Sequence, residues 1–252
     1  MKLQGRTILI TGGSSGIGLE LARQLRARGN TVLVTGRDAA KLAQAQADLP
    51  GLHTWASDVA DAAGIAALCQ EVTARFPKLD VLINNAGIMR NISLTQPRTP
   101  DDLTRELDIN LRGPLQMVQQ FLPHLQRQPE ALIVNVSSGL AFVPMPIAPI
   151  YSATKAALHS YTQSLAMQLR GTTVRVVELA PPGVETPLFR GEFEEEMRGQ
   201  KGMDPALLVR RAIAGIEAGR GEIRPGLANV LKLMSRVAPD FMLRQLAKVG
   251  SS

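Results

Sequence analysis

The sequence predicts an α/β fold built on a doubly wound parallel sheet, because short apolar segments alternate with helical segments along the chain. The apolar segments are rich in Val, Ile and Leu, which is typical of strands covered by helices on both faces. Right-handed crossovers then place ligands beyond the carboxyl ends of the strands, where the strand order reverses. About seven strands are expected, near residues 6–11, 31–35, 52–56, 79–84, 131–136, 173–180 and 221–225.

The helical segments have apolar residues at the spacing of an amphipathic helix. No linker, repeat or low-complexity segment divides them, so a single domain is expected over residues 1–226. Residues 227–252 form an amphipathic extension that we expect to pack on the same domain, with contact to a membrane surface as the rival interpretation. The expected helices lie near residues 16–28, 38–48, 61–76, 101–127, 151–170 and 204–218.

Composition excludes several classes of protein. Of the 252 residues, 45% are hydrophobic and 20% are charged, which is typical of a globular domain. The net charge of +6 comes from scattered basic residues rather than a basic run, so no nucleic-acid partner is expected. The single cysteine, Cys69, together with the lack of a leader or spanning segment, favours a cytoplasmic protein. The three histidines have no metal-ligand spacing, and no metal site is predicted.

A glycine-rich turn follows the first predicted strand and precedes the first helix. It reads Thr11-Gly-Gly-Ser-Ser-Gly-Ile-Gly18, a wider spacing than G-x-G-x-x-G. Glycines at this place let main-chain amides approach a pyrophosphate at the helix amino terminus. A glycine loop without a ligand would show the same pattern.

Three polar residues later in the chain suit proton exchange with an alcohol or a carbonyl group. Tyr151 and Lys155 are one helical turn apart and therefore share a helix face, and Ser138 precedes them. A cation beside the phenol is expected to lower the tyrosine pKa towards neutrality. The serine hydroxyl is placed to bind a substrate oxygen as charge develops on it.

These motifs, in this order, resemble the short-chain dehydrogenase/reductase family, with a Rossmann-type fold. Asn84-Asn85-Ala86-Gly87 matches the family's N-N-A-G, and Asp108-Ile109-Asn110 contains its mid-helix asparagine. The segments 140–144 and 157–161 look more narrowly like the DltE-like group of that family. The resemblance implies the catalytic set Asn110, Ser138, Tyr151 and Lys155. It also implies cofactor contacts from Gly12, Ser14, Ser15, Gly16, Ile17, Gly18, Arg37, Asp58, Val59, Asn85, Ala86, Gly87, Tyr151, Lys155, Pro181 and Thr186.

The end of the second strand indicates which cofactor is used. NAD enzymes usually have an acid there for the ribose 2′-hydroxyl, whereas this chain has Gly36 followed by Arg37. Arginine matches a 2′-phosphate in charge and donor geometry, and Asp38 is better placed to cap the next helix. The sequence therefore favours NADP(H). One departure from the family pattern is Pro182, which stands where glycine is usual and removes a main-chain donor.

The resemblance implies an NADP-dependent oxidoreductase, a carbonyl reductase or alcohol dehydrogenase acting on a small molecule. A non-catalytic NADP-binding sensor or scaffold of the same fold is the alternative, and epimerisation at the same site is a third. A homo-dimer or homo-tetramer is also expected, through apolar side chains on the helices around 101–127 and 151–170. An apolar substrate pocket is expected from residues 142–147, and a lid over it from residues 187–203. The residues named for the oligomer are Met117, Val118, Phe121, Leu158, Leu165 and Met167.

Overall fold

The computed structural model describes residues 1–249 and contains a seven-stranded sheet in which every pairing is parallel. The strand order is β3-β2-β1-β4-β5-β6-β7, so the order reverses between β1 and β4. The predicted doubly wound α/β fold is confirmed. The strands are β1 Thr7–Thr11, β2 Thr31–Gly36, β3 His53–Ala56, β4 Leu79–Asn84, β5 Ala131–Val136, β6 Val174–Leu179 and β7 Glu222–Ile223.

Helices cover both faces of the sheet and bury two apolar layers. On one face, α1, α2 and α8 pack against side chains such as Ile10, Val34 and Val177. On the other face, α3, α5 and α6 pack against side chains such as Leu9 and Ile133. The helices are α1 Gly16–Ala27, α2 Ala39–Asp48, α3 Ala62–Arg75, α4 Pro100–Leu107, α5 Gly113–Leu125, α6 Pro149–Gln168, α7 Pro187–Arg190, α8 Pro205–Glu217, α9 Leu227–Val237 and α10 Pro239–Ala247.

The long helix expected over residues 101–127 is interrupted by a π-helical turn at Asp108–Arg112. The Gly113 amide donates to the Asp108 carbonyl five residues earlier. Pro114 has no amide proton, so the carbonyl of Asn110 has no α-helical donor four residues ahead. The wider turn accommodates that break, and single π turns often occur at functional sites.

The carboxyl-terminal extension folds as two short helices, α9 and α10, separated where Pro239 begins α10. Leu231 and Ala228 of α9 pack on the turn after β5, because a β-carbon at Gly139 would lie 3.0 Å from Leu231 and 3.4 Å from Ala228. Residues 250–252 of the extension lie outside the described residues. Within residues 1–249, no helix is long and apolar enough to cross a membrane.

Candidate active site

A cavity of about 610 Å³ runs along the carboxyl ends of the strands, beside the point where the strand order reverses. It extends from Arg37 and Asp58 at one end to Tyr151 and Lys155 at the other. Every residue predicted to contact the cofactor lines this cavity except Gly18. The other predicted contacts that line it are Gly12, Ser14, Ser15, Gly16, Ile17, Val59, Asn85, Ala86, Gly87, Pro181 and Thr186.

The glycine-rich turn is shaped by close contacts that only glycine permits. A β-carbon at Gly18 would lie 2.3 Å from the Gly12 carbonyl oxygen, and one at Gly12 would lie 2.8 Å from the Ala86 Cα. Gly18 therefore packs α1 against the turn instead of facing the cavity. Asn85 completes the turn, because its side-chain amide donates to the carbonyls of Thr11 and Gly12 at 3.0 and 3.1 Å.

The far end of the cavity carries the basic residue expected to choose the cofactor. Arg37 is about half exposed, and its guanidinium lies 3.9 Å from the Asp58 carboxylate. Asp38 accepts a hydrogen bond from the Lys41 amide at 3.0 Å and caps α2, so the predicted capping role of Asp38 is confirmed. A half-exposed guanidinium and a glycine-lined cradle fit a phosphorylated dinucleotide.

Ser138 and Tyr151 face each other at the inner end of the cavity. Ser138 directly follows β5 and accepts a hydrogen bond from the Leu140 amide at 3.1 Å, while Tyr151 lies in the first turn of α6. Both side chains are buried, each 7% exposed. An α/β fold places the end of a strand beside the start of the next helix, which brings the two hydroxyls together.

The pKa of Tyr151 is the first place where the structure contradicts the sequence-based expectation. Burial raises this pKa from 10.0 to about 12, the interaction with Ser138 lowers it, and the charge of Glu106 raises it further. Lys155 does not bring this pKa towards neutrality, since its ammonium makes no hydrogen bond to the phenol oxygen. The Lys155 ammonium lies 5.6 Å from the centre of the tyrosine ring, and its hydrogen bond goes to the Val136 carbonyl at 2.9 Å.

Lys155 is buried at 4% exposure. Burial lowers its pKa from 10.5 to about 8, and the nearby charge of Glu178 raises it in opposition. A lysine with this pKa is half protonated near pH 8, so its charge responds to small changes in its surroundings at mildly alkaline pH.

Asn110 lies in the π-helical turn and is fully buried. Its side-chain oxygen accepts from the Ile88 amide at 2.8 Å, and its side-chain amide donates to the Ile88 carbonyl and to Thr154. A β-carbon at Gly87 would lie 3.2 Å from the Asn110 oxygen and 3.6 Å from the Lys155 ammonium. Glycine at position 87 therefore allows the asparagine and the lysine to approach the same small space.

A second cavity, also of about 610 Å³, adjoins the first and shares Tyr151, Thr186 and Pro181 with it. Ser138 lines this second cavity. Most of the remaining lining is apolar and comes from three stretches of chain, including the carboxyl-terminal helices. The apolar lining residues are Ile17, Met89, Leu140, Met145, Pro182, Val184, Leu188, Phe189, Met197, Met203, Leu207, Leu227, Leu231, Leu246 and Val249.

The prediction of a pocket from residues 142–147 is mostly wrong, because only Met145 among its five named residues lines the second cavity; the others are Phe142, Val143, Pro144 and Ile147. Met145 lines the second cavity and packs with Tyr151, whereas Phe142 turns away and stacks edge-on against His159 at 5.1 Å. The predicted lid segment covers the cavity with Phe189 and Met197. Asn91 holds this segment through hydrogen bonds to Glu192 at 2.9 Å and Glu196 at 2.5 Å.

Sequence reasoning missed two buried carboxylates near the site. Glu106 is fully buried on α4 and accepts a hydrogen bond from the Arg90 amide at 3.1 Å. Glu178 is 2% exposed on β6 and contacts His159. The one usable signal for Glu178 was an acid inside an otherwise apolar strand, VRVVEL.

Comparison with known proteins identifies the family. A model of the family described as short chain dehydrogenase matches residues 6–197, which is more than half of the chain. The chain belongs to the short-chain dehydrogenase family. This confirms the resemblance inferred from the motifs, and it makes the protein an oxidoreductase by family.

This short-chain dehydrogenase is 41% identical over 249 residues to the uncharacterized oxidoreductase DltE of Bacillus subtilis strain 168, with 98% of each chain covered. It is 32% identical to the 3-oxoacyl-[acyl-carrier-protein] reductase FabG of Thermotoga maritima, over 75% of this chain and 78% of the relative. The similarity to DltE confirms the narrower resemblance to the DltE-like group.

Solved structures of similar fold have been determined with either nicotinamide dinucleotide. A short chain dehydrogenase from Burkholderia cenocepacia J2315, in complex with NADP, has a TM-score of 0.84 at 24% identity and covers 98% of this chain and 99% of its own. A 3-ketoacyl-(acyl-carrier-protein) reductase from Brucella melitensis, complexed with NADH, has a TM-score of 0.79 at 28% identity, with 89% and 98% covered. Cofactor preference in this chain must therefore be argued from its own residues.

Proposed function

We propose that this short-chain dehydrogenase uses NADP(H) to interconvert a carbonyl group and an alcohol on a small molecule with an apolar body. The main support for this proposal is the position of Tyr151, which lines both cavities. One cavity has the glycine cradle and Arg37, which suit a phosphorylated dinucleotide, and the other is apolar and contains Ser138. The tyrosine hydroxyl lies where the contents of the two cavities would meet.

The proposed chemistry assigns separate roles to two hydroxyls. Ser138 donates a hydrogen bond to the substrate oxygen and fixes its position, and Tyr151 exchanges a proton with that oxygen. A pKa near 12 keeps the phenol protonated in the protein alone, which suits proton donation to a carbonyl. The dinucleotide, when bound, would supply or accept the hydride at the substrate carbon.

The residues that would hold the cofactor follow from the cavity. The amides of the turn at Gly12–Gly16 would bind the diphosphate, and Arg37 would bind the 2′-phosphate of the adenosine ribose. Asp58 and Val59 would contact the adenine, and Lys155 would bind the nicotinamide ribose. The absence of an acid at Gly36 favours NADP over NAD.

The apolar cavity suggests the character of the substrate. Its wall includes Leu231 and Leu246 of the carboxyl-terminal helices as well as the lid residues Phe189 and Met197. Burying an apolar group against such a wall contributes roughly 25 cal/mol per Å². A carbonyl compound with a bulky apolar substituent therefore fits better than a small polar one.

The proposal is tested by assaying ketones, aldehydes and alcohols through the change in NADPH absorbance. Tyr151→Phe should lower turnover by roughly 10²- to 10⁴-fold while NADPH binding is retained. Tyr161→Phe is a matched control, because Tyr161 lies on the same helix outside both cavities. Tight NADPH binding without turnover of any compound would favour the sensor or scaffold alternative.

We also propose a homo-dimer or homo-tetramer, although five of the six side chains that first suggested it do not support it. Met117, Val118, Phe121, Leu158 and Leu165 are 0–7% exposed and belong to the core of one subunit. The support comes from the sixth, Met167, and from other large exposed apolar side chains, including Leu94, Leu103 and Leu107. Light scattering should give a multiple of 27.1 kDa, and a single 27.1 kDa species under active conditions would contradict the proposal.

A further inference from the structure

A buried cluster of polar side chains lies next to the candidate active site and includes Ser137, which lines the first cavity. At its centre is Glu178 of β6, which is 2% exposed. One oxygen of its carboxylate accepts a hydrogen bond from the Ser137 hydroxyl, and the other lies 2.6 Å from His159 Nδ1. A buried carboxylate is costly unless such partners satisfy it, so this arrangement needs a structural or functional reason.

The tautomer of His159 follows from its second nitrogen. Nε2 faces the Lys232 ammonium at 3.4 Å and the Gln163 side-chain amide at 3.1 Å. An ammonium can only donate, so Nε2 accepts and the ring proton lies on Nδ1. His159 therefore donates to Glu178 and orients its carboxylate.

The same cluster has ligand atoms close enough to consider a metal ion. Atoms of His159, Glu178 and Glu222 lie within 4.8 Å of one another. Glu222 is in register with Glu178 on the neighbouring strand, but it is already paired with Lys232 at 3.0 Å and with Arg224. Because these two cations balance Glu222, the cluster is organised around the remaining carboxylate, Glu178.

Glu178 is linked to the active site through Ser137. Val136, the residue before Ser137, provides the carbonyl that accepts the Lys155 hydrogen bond at 2.9 Å. Ser138 is the residue after Ser137. The Ser137 amide donates to the Leu179 carbonyl at 2.8 Å, so side chain and main chain both fix this segment to β6. Lys155 and His159 lie one turn apart on α6 and share a helix face. The Val136 carbonyl that binds the Lys155 ammonium is one residue from the Ser137 hydroxyl that binds Glu178.

We propose that Glu178 is a positioning residue for the reaction. Its carboxylate holds, through Ser137, the strand end that carries Ser138 and the Lys155 acceptor, and it places a negative charge near the Lys155 ammonium. His159 orients the carboxylate, while Glu222, Lys232 and Arg224 form a separately neutralised group beside it. The catalytic part of this inference rests on the proposed function, whereas the effect on Lys155 does not.

The charge effect can be measured without turnover. In protein labelled with ¹³C at the lysine ε-carbon, the Lys155 resonance is assigned by its loss in Lys155→Met. In Glu178→Gln its titration midpoint should fall below that of the wild type, since a neutral amide no longer stabilises the ammonium. Glu222→Gln is the matched control, and it should leave the Lys155 midpoint in place.

The kinetic consequence provides the second readout. If the oxidoreductase function holds, the rising limb of the pH profile of alcohol oxidation should move to higher pH in Glu178→Gln. The reason is that an uncharged lysine stabilises the Tyr151 phenolate less. A structural role alone would lower turnover equally at every pH. Ser137→Ala separates the two effects, since it keeps the charge and should reduce turnover without moving the profile.

The outcomes discriminate between the two proposals. An unchanged Lys155 midpoint in folded Glu178→Gln overturns the inference, whatever the enzyme's activity. A shifted midpoint in a protein that turns over no substrate supports the inference about Lys155 and contradicts the proposed function instead. If Glu178→Gln does not fold, Glu178→Asp replaces it. The shorter side chain moves the carboxylate away from Lys155, so a smaller shift of the Lys155 midpoint in the same direction is expected. An unshifted midpoint in this variant overturns the inference.

Discussion

The Lys155 ammonium lies 5.6 Å from the centre of the Tyr151 ring and hydrogen-bonds the Val136 carbonyl. The two side chains share a helix face, as their spacing requires, yet each is buried and each has its pKa shifted towards its neutral form. In the protein alone, burial therefore opposes charge on both side chains. Groups around it, which include Glu106 and Glu178, decide how readily charge develops.

We expect Lys155→Met to separate stability from activity. Below about pH 8 the wild-type lysine is charged in both the folded and unfolded states, and its burial costs stability. Between that pH and 10.5 only the unfolded state keeps the proton, so wild-type stability rises with pH. The stability of the variant relative to wild type should therefore fall by about 3 kcal/mol across this range.

Chemical denaturation at several pH values measures this difference. Lys78→Met removes an exposed lysine and should leave the pH dependence unchanged. Turnover of Lys155→Met should fall roughly 10²-fold or more, since the phenolate loses its cation. If the stabilities of wild type and Lys155→Met run parallel across the pH range, the pKa of Lys155 is not lowered in the folded protein.

Glu106→Gln should move the pH profile of alcohol oxidation to lower pH. The Glu106 carboxylate raises the pKa of Tyr151, and a neutral amide removes that repulsion while keeping a similar volume. This is the opposite direction to the one expected for Glu178→Gln, because Glu106 acts on the phenol and Glu178 acts on the lysine. Asp101→Asn changes an exposed carboxylate on the same helix and serves as the control. A shift to higher pH in Glu106→Gln would refute the repulsion.

Arg37→Asp should invert the cofactor preference towards NAD. The new carboxylate would repel a 2′-phosphate and accept a hydrogen bond from a ribose hydroxyl. Loss of a charged hydrogen bond corresponds to roughly a 10- to 100-fold change, read as the NADP:NAD ratio of kcat/KM. Arg210→Asp makes the same change of net charge on α8, at a residue that lines neither cavity. A wild-type ratio in Arg37→Asp would show that another residue selects the cofactor.

Leu231→Ala should weaken the binding of apolar substrates. Leu231 is 5% exposed and lines the second cavity, so truncation removes part of its wall and should destabilise the fold by about 2–5 kcal/mol. Leu233→Ala lies on the same helix at 61% exposure and should change neither KM nor stability appreciably. An unaltered KM for the bulkiest substrate in Leu231→Ala would remove α9 from the proposed pocket.

The sequence was most informative where a residue's role follows from its place on a strand or helix. Apolar runs located the strands, and motif order located Ser138 and Tyr151. It was misleading for the Tyr151 pKa, because helical spacing says which side chains share a face but not how far they are from water. It could not reveal the contact between His159 and Glu178, which depends on how α6 packs across β6.

The π-helical turn at Asp108–Arg112 makes the length of this part of the chain critical. Each residue in an α-helix turns the chain by about 100°. Deleting one residue here would restore a regular helix and rotate α4 relative to α5 by that angle. Asn110 would then face away from Thr154, or Glu106 away from Arg90. Related proteins should therefore tolerate substitutions in this stretch far more readily than insertions or deletions.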